Sequence, residues 1–336
     1  MRRRYEKNNR INCKYMNIAI IIPTLNRYEH LKRCISSLVS NPRAKEVDLI
    51  LSLDYPPHPK YEEGYRKIKR DFKNVSGFRK YVFIENESNL GPEGNEQKLK
   101  KYVFDHNYDA FIFSEDDNEF SLNYLDYMIQ GLELTKGSDV EFVSGYTHLD
   151  MNIDYKYQHN FFKSKAFSAW GYGVLLENHI RYDKYRDFDL LKSLLKNRNI
   201  CKKLDKEKPG AVNSLIGMIK NREIIGDTLH SIYMILENKY CLFPTVSKVR
   251  NYGSDGTGVH SKKVNQTQLD SFLAQNIDQE SSFCYSGESI VCIANFNRNL
   301  KPDIPNTFRS LIKYSIFKFD LLLFRLTGIT INSKYI

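Results

Sequence analysis

Three acids in a row, Glu115, Asp116 and Asp117, directly follow the apolar run Phe111 to Phe113 in "DAFIFSEDD". Three carboxylates side by side repel one another, and leaving them uncompensated behind a buried strand costs on the order of several kcal/mol. A divalent cation is a natural partner: hard oxygen ligands suit Mg²⁺ or Mn²⁺, which take one or two protein carboxylates and complete their shell with water and diphosphate oxygens. The alternative is that "DDNEFSLNYL" gathers acids at a helix start, where the macrodipole favours them. Asp54, closing "VDLILSLD", is a second acid at a strand end. Its carboxylate can accept N–H donors at a strand end. Asp54 also reads as a turn acid before "YPP", and Asn89 and Gly91 as ordinary turn residues.

The elements that must position these residues are legible in the first half. "NIAIIIPTL" carries a continuous apolar run, Ile18 to Ile22, of the kind that marks a strand covered on both faces, and Pro23 closes it. Apolar residues at helical spacing predict a helix from Arg27 to Ser40, stopped by "NPR". A second strand (47–54), a second helix (61–72) and a third strand (80–85) follow. "NESNLGPEGN" reads as a turn opening a helix from about Glu96 to His106. The acidic strand comes next, then a helix over 122–134 and a strand in "VEFVSGY". This alternation predicts an α/β fold with an open, largely parallel sheet, in which ligands bind at the carboxyl ends of the strands. Asp54 and the acidic triplet should therefore converge on one crevice.

The second half is less regular. "FFKSKAFSAWGYGVLLEN" mixes aromatics and glycines, 183–203 reads as helical, 226–240 as an amphipathic helix that Asp227 could cap, and "CLFPTVSKVRNYGSDGTGVH" as a short strand entering a glycine-rich loop.

Composition narrows the function classes. The chain has 336 residues with a net charge of +10, which suits phosphorylated, lipid or nucleic-acid partners without choosing among them. Lys and Arg are spread along the chain instead of forming one stripe, which argues against a nucleic-acid-binding module. The six cysteines show no CxxC pair and no zinc spacing, and read as reduced thiols of a cytoplasmic protein. The basic start, residues 1–16, has no apolar core of signal-peptide length, and no uncharged apolar stretch approaches the roughly 20 residues of a spanning helix. A nucleotidyltransferase would carry a glycine-rich basic loop after the first strand, and "PTLNRYEH" has no glycine.

Together, "IIIPTLNRYEHLKRCISSL", the "NLGPEGN" turn and "SEDDNEFSLNYL" resemble the family-2 glycosyltransferases and, in the acidic triplet, the eukaryotic N-acetylglucosaminyltransferase I group. The resemblance covers roughly residues 17–262 and leaves 263–336 as a C-terminal appendage. It implies the GT-A fold and a metal-dependent inverting transfer from a nucleotide diphosphate sugar, with a UDP-sugar expected. It makes Asp117 the direct ligand of Mn²⁺ or Mg²⁺, places Asp116 near the ribose or metal waters, and turns Glu115 toward the sugar. Pro23, Thr24, Asn26 and Arg27 match the loop that cradles the nucleobase, Asp54 the acid that hydrogen-bonds uracil, and Asn89, Gly91 and Asn95 the turn beside ribose and diphosphate. Asp227 matches the general base, with helix capping as the plain alternative. The Glu at the first position of the triplet departs from the usual DxD pattern and fits the EDD variant.

His260 matches a phosphate- or metal-contacting histidine, or is a surface-loop histidine. Trp170, between glycines in "FSAWGYG", suits a platform for a sugar ring, or a core position. The segment "TFRSLIKYSIFKFDLLLFRLTGI" interleaves Lys313, Lys318 and Arg325 with aromatic and aliphatic residues. It is able either to lie on an anionic membrane or to pack back on the domain. A saccharide or lipid-linked oligosaccharide acceptor in bacterial surface polysaccharide synthesis, at the inner face of the cell membrane, is what the resemblance implies.

Overall fold

A computed structural model describes residues 16–148, 157–258, 274–285 and 308–327. Its centre is an eight-stranded sheet in the order β3-β2-β1-β4-β8-β6-β9-β7. The strands are β1 (Ile18–Thr24), β2 (Asp48–Leu53), β3 (Lys80–Glu85), β4 (Ala110–Phe113), β6 (Val140–Ser144), β7 (Phe161–Ser164), β8 (Tyr172–Leu175) and β9 (Tyr240–Pro244). The sheet is mostly parallel, as expected: β3, β2, β1 and β4 run together, and β6 pairs parallel with β9. Only β8 and β7 run against their neighbours. β1 and β2 are continuous apolar runs because both of their faces are covered. Ala19 and Ile21 join one core layer, while Ile18, Ile20 and Ile22 join the other.

The chain crosses the sheet through α1 (Tyr28–Val39), α2 (Glu62–Asp71), α3 (Gly91–Asp105) and α4 (Tyr124–Thr135). α3 begins at Gly91, five residues before the expected start. Pro92 occupies its first turn, where a missing N–H costs nothing. The second half departs further. The helix expected over 183–203 is α5 (Leu176–Asp183), then α6 (Phe188–Lys196) and α7 (Arg198–Glu207), because Asp187 and Asn197 each cap a new helix. α8 (Ala211–Asn221) was not foreseen, and α9 (Gly226–Glu237) was.

Two short strands form a separate antiparallel ribbon. β5 (Asn118–Phe120) follows the acidic triplet and pairs with β10 (Val249–Asn251), which ends where the glycine-rich loop begins. Residues 274–285 lie against α4: the Phe283 N–H donates to Asp126 at 2.7 Å, and Tyr285 stacks on Tyr127. The last helix, α10 (Phe308–Thr327), seats Leu321 and Phe324 in the core and donates from Arg325 to the Leu195 carbonyl of α6 at 3.2 Å. Packing back on the domain is thus real for this face of the segment. Cys34, Cys201, Cys241 and Cys284 are free thiols; Cys13 and Cys292 lie outside the described residues.

Candidate active site

β1 and β4 are adjacent and parallel, and the connections leaving them depart to opposite sides of the sheet order. In open α/β sheets ligands bind at such a switch point, outside the carboxyl ends of the strands. Pro23 and Thr24 end β1, and the loop through Asn26 and Arg27 enters α1. That loop is wedged from outside: a Cβ on Gly64 of α2 would lie 1.9 Å from the Asn26 carbonyl oxygen, so only glycine permits the approach. The triplet leaves β4 alongside.

The cation that answers the acids within the chain is Arg27. Its Nη1 donates to Asp117 Oδ2 at 2.6 Å, and its Nη2 pairs with Asp116 Oδ1. Thr24 donates to the other Asp116 oxygen at 2.7 Å, and Asn251 Nδ2 to the other Asp117 oxygen at 2.6 Å. Asp116 and Asp117 are only 3% and 4% exposed. Burial works against the Arg27 charge, but Asp116 and Asp117 outweigh it and hold the guanidinium above its usual range. Burial pushes the Asp117 carboxyl up despite its partners. Glu115 is raised well above the usual carboxylate range, first by burial and then by the charge of Asp117, with Asp227 adding to it.

Asn251 escaped the sequence reading. Its side-chain oxygen Oδ1 also accepts from the Gly253 N–H at 2.8 Å, and the Tyr252 N–H donates to the Asp117 backbone carbonyl at 2.9 Å. The loop after β10 is thus laced to the acid. A Cβ on Gly253 would come 2.3 Å from Asp117 Oδ2, so any larger residue there would have to displace the acid's carboxylate. The loop is tied to α1 as well, through His30 and Asp255 at 2.9 Å. Only the asparagine in "RNYGSDG" hinted at this, and its partner lies 134 residues away.

Asp54 sits at the end of β2, 4% exposed. Its two oxygens accept from the N–H groups of Tyr55, Leu90 and Gly91 and the side-chain amides of Asn86 and Asn89, at 2.9–3.3 Å. A carboxylate has about four lone-pair sites, so a nucleobase N–H reaching Asp54 must displace one of these donors. Asn89 also donates to the Tyr55 carbonyl at 2.7 Å. Asn95 is buried beneath the turn, with its amide engaged by Ser52 and Asn86. Gly91 takes φ +71°, the left-handed region that favours glycine.

Asp227 stands in the first turn of α9 but does not cap it. Ile225 is the N-cap residue, and Asp227 Oδ1 accepts from the Ala169 N–H at 3.1 Å. The capping expectation is therefore overturned by a tertiary bond. The residue is open to solvent, yet the protein crowded around its carboxyl pushes it up to about 6, against the smaller opposing pull of Lys208 and the Ala169 N–H. Trp170 follows Ala169, half-buried, with its ring edge-on to Tyr146 at 4.6 Å between centroids. The structure thus joins Thr24, Arg27, Asp116 and Asp117 directly, and brings Asp227 close enough to raise Glu115. Asp54, Asn89, Gly91 and Asn95 form a neighbouring network. His260 lies outside the described residues.

Among the described residues, no three carboxylate, imidazole or thiolate groups converge on one metal position. The donor chemistry nonetheless suits a hard cation. Asp117 Oδ2 already holds a positive charge, supplied by Arg27, and Asp117 with Glu115 offers the one or two carboxylates such an ion takes.

No protein-family model and no curated protein matches the sequence. Solved structures do. S. aureus TarS 1-349 aligns over 93% of this chain and 81% of its own, at 9% identity and a TM-score of 0.41. The same fragment in complex with UDP aligns over 38% and 34%, at 15% identity and 0.29. Mannosyltransferase PcManGT from Pyrobaculum calidifontis, in complex with GDP-Man and Mn²⁺, aligns over 49% and 46%, at 9% and 0.34. The chain thus spans about a third to a half of the two ligand-bound structures, and likeness at these scores fixes neither substrate nor mechanism.

Proposed function

We propose that the chain is a GT-A-type glycosyltransferase that transfers a sugar, with inversion, from a nucleotide diphosphate donor, a UDP-sugar first. The observation that supports this reading is the pairing of Asp116 and Asp117 with Thr24 and Arg27 at the carboxyl ends of β1 and β4, with Asp227 near enough for its charge to raise Glu115. One carboxyl of that group is tuned to about 6. Asp227 takes the acceptor hydroxyl's proton; a base with this affinity is largely unprotonated at neutral pH and still basic enough to accept. The Ala169 N–H fixes one of its oxygens and leaves the other for the acceptor. A divalent ion, Mn²⁺ or Mg²⁺, when bound neutralises charge gathering on the departing diphosphate. Asp117 is its ligand, with Glu115 beside it. Thr24 and Asn251 keep Asp116 and Asp117 in place, and Trp170 borders the sugar.

Calorimetry with UDP, with and without Mn²⁺, tests the assignment. Binding is expected to depend on Mn²⁺ and to weaken by at least about tenfold in Asp117→Ala; equal binding by the variant removes Asp117 from the donor site. A panel of nucleotide sugars assayed for slow hydrolysis then identifies the donor.

The acceptor we infer is a saccharide or lipid-linked oligosaccharide of a bacterial surface polysaccharide, met at the inner face of the membrane. No helix among the described residues is long and apolar enough to cross a bilayer. α10 supports surface contact instead. While Leu321 and Phe324 pack inward, Phe319, Leu322 and Leu326, at helical spacing, are 61%, 53% and 76% exposed, beside exposed Lys318. Ser at all three positions is expected to abolish co-flotation with anionic phospholipid vesicles while leaving the melting temperature within a few degrees. Undiminished flotation assigns the stripe another role.

A further inference from the structure

The pairing of Arg27 with both buried acids sits where the proposed function needs a cation, and the two have to be reconciled. Asp117 has one neutral partner, Asn251, and one charged one, Arg27. Asp116 likewise has neutral Thr24 and charged Arg27. Two carboxylates against one guanidinium leave a net charge of −1, and Glu115 adds to the excess whenever it ionises. The crevice therefore attracts further positive charge even with Arg27 in place. The acid side chains are 5% exposed and the Arg27 side chain 18%, so Arg27 is the more solvent-exposed member of the pair. It rides on the loop between β1 and α1, whose backbone is pinned at Asn26 by Gly64, so the side chain can move while the loop stays.

Energetics decide when it moves. Turning Arg27 out of the crevice breaks two charge-assisted hydrogen bonds, and a divalent ion alone repels the guanidinium it must replace. A nucleoside diphosphate changes this balance, because it brings anionic oxygens that the released N–H groups can bind. Cation and diphosphate then enter together at lower cost than either separately.

Resting on the nucleotide-sugar reading above, we propose that Arg27 is an exchangeable internal counter-ion. It holds Asp117 Oδ2 in the empty enzyme, surrenders that oxygen to a divalent cation arriving with a nucleoside diphosphate, and turns its freed N–H groups on the diphosphate.

The test is Mn²⁺ binding to the full chain, read from the loss of the free-ion electron paramagnetic resonance signal, together with UDP calorimetry. Wild type is expected to bind Mn²⁺ weakly alone and on the order of tenfold or more tightly with UDP present. Arg27→Met is expected to shift two affinities in opposite directions: Mn²⁺ alone binds roughly tenfold more tightly, while UDP at saturating Mn²⁺ binds more weakly. An arginine that merely supports the fold moves both downward. If Arg27→Met binds Mn²⁺ no better than wild type while UDP weakens, Arg27 is a plain phosphate ligand and the exchange is wrong. Should that variant fail to fold by circular dichroism, Arg27→Lys decides, since one ammonium cannot fork across two carboxylates. It is expected to bind Mn²⁺ alone more tightly than wild type, and equal or weaker binding overturns the proposal. Failure of UDP to bind any of these proteins sinks the nucleotide reading and the diphosphate-linked exchange with it. Mn²⁺ affinities that respond to Arg27 would then still show the side chain competing for the acids.

Discussion

Asp227→Asn should lower turnover by about 10² to 10⁴-fold while leaving UDP affinity nearly unchanged. The isosteric amide keeps an acceptor for the Ala169 N–H, so the first turn of α9 and the Trp170 segment hold their shape. What is lost is the lone pair to which the proposed function gives the acceptor proton. The pH dependence adds a second signature. Because the surrounding protein raises this carboxyl to about 6, the proposed base should be protonated below that pH and ionised above it. In wild type, kcat/KM should climb through an acid limb centred near pH 6, well above the usual aspartate range. Any residual rate in Asp227→Asn should lack that limb. A limb that survives the substitution, or turnover that is unaffected, assigns the base elsewhere.

The second large effect concerns stability. Asp54→Ala should lower the unfolding free energy by about 3 kcal/mol, because it strands several donors at once. The side-chain amide of Asn86 is buried, and the Leu90 and Gly91 N–H groups stand at the start of α3, where no earlier carbonyl can take them. Urea denaturation checks this: the midpoint should fall with little change in slope. A loss under about 1 kcal/mol means that water replaces the carboxylate, and Asp54 is then free to serve a ligand. Asn does not rescue the site, since its NH₂ faces the donors already gathered there.

The sequence reading succeeded where structure is local. Ile18 to Ile22 and the run around Phe111 are strands because both faces are buried, and apolar continuity records that directly. The turn from Asn86 to Gly91 and the acids after β4 were placed by the same logic. It failed where partners are distant or signals short. β5 has three residues and pairs with β10 some 130 residues on, so no window of sequence contains the ribbon. β7 and β8 run antiparallel within a text of mixed aromatics and glycines that has no clean period. The break between α6 and α7 was readable, since Asn197 accepts from the N–H groups of Asn199 and Ile200 as an N-cap does. Asp227 has a residue type that suits capping, and only the Ala169 contact shows what it does instead. Arg27 has a residue type and place that suit a nucleotide-binding loop, and its pairing with acids some 90 positions away is not visible in the spacing.

The ribbon of β5 and β10 has a mechanical consequence. Asp117 is the residue before one strand, and Gly253 comes two residues after the other, so the acid and the glycine-rich segment hang from the same short clip. Asn251 bridges the two, donating to Asp117 Oδ1 and accepting from the Gly253 N–H. Removing the Asn251 amide would therefore strip a donor from Asp117 and an acceptor from the Gly253 N–H in one step, so the acid and the loop share a single anchor.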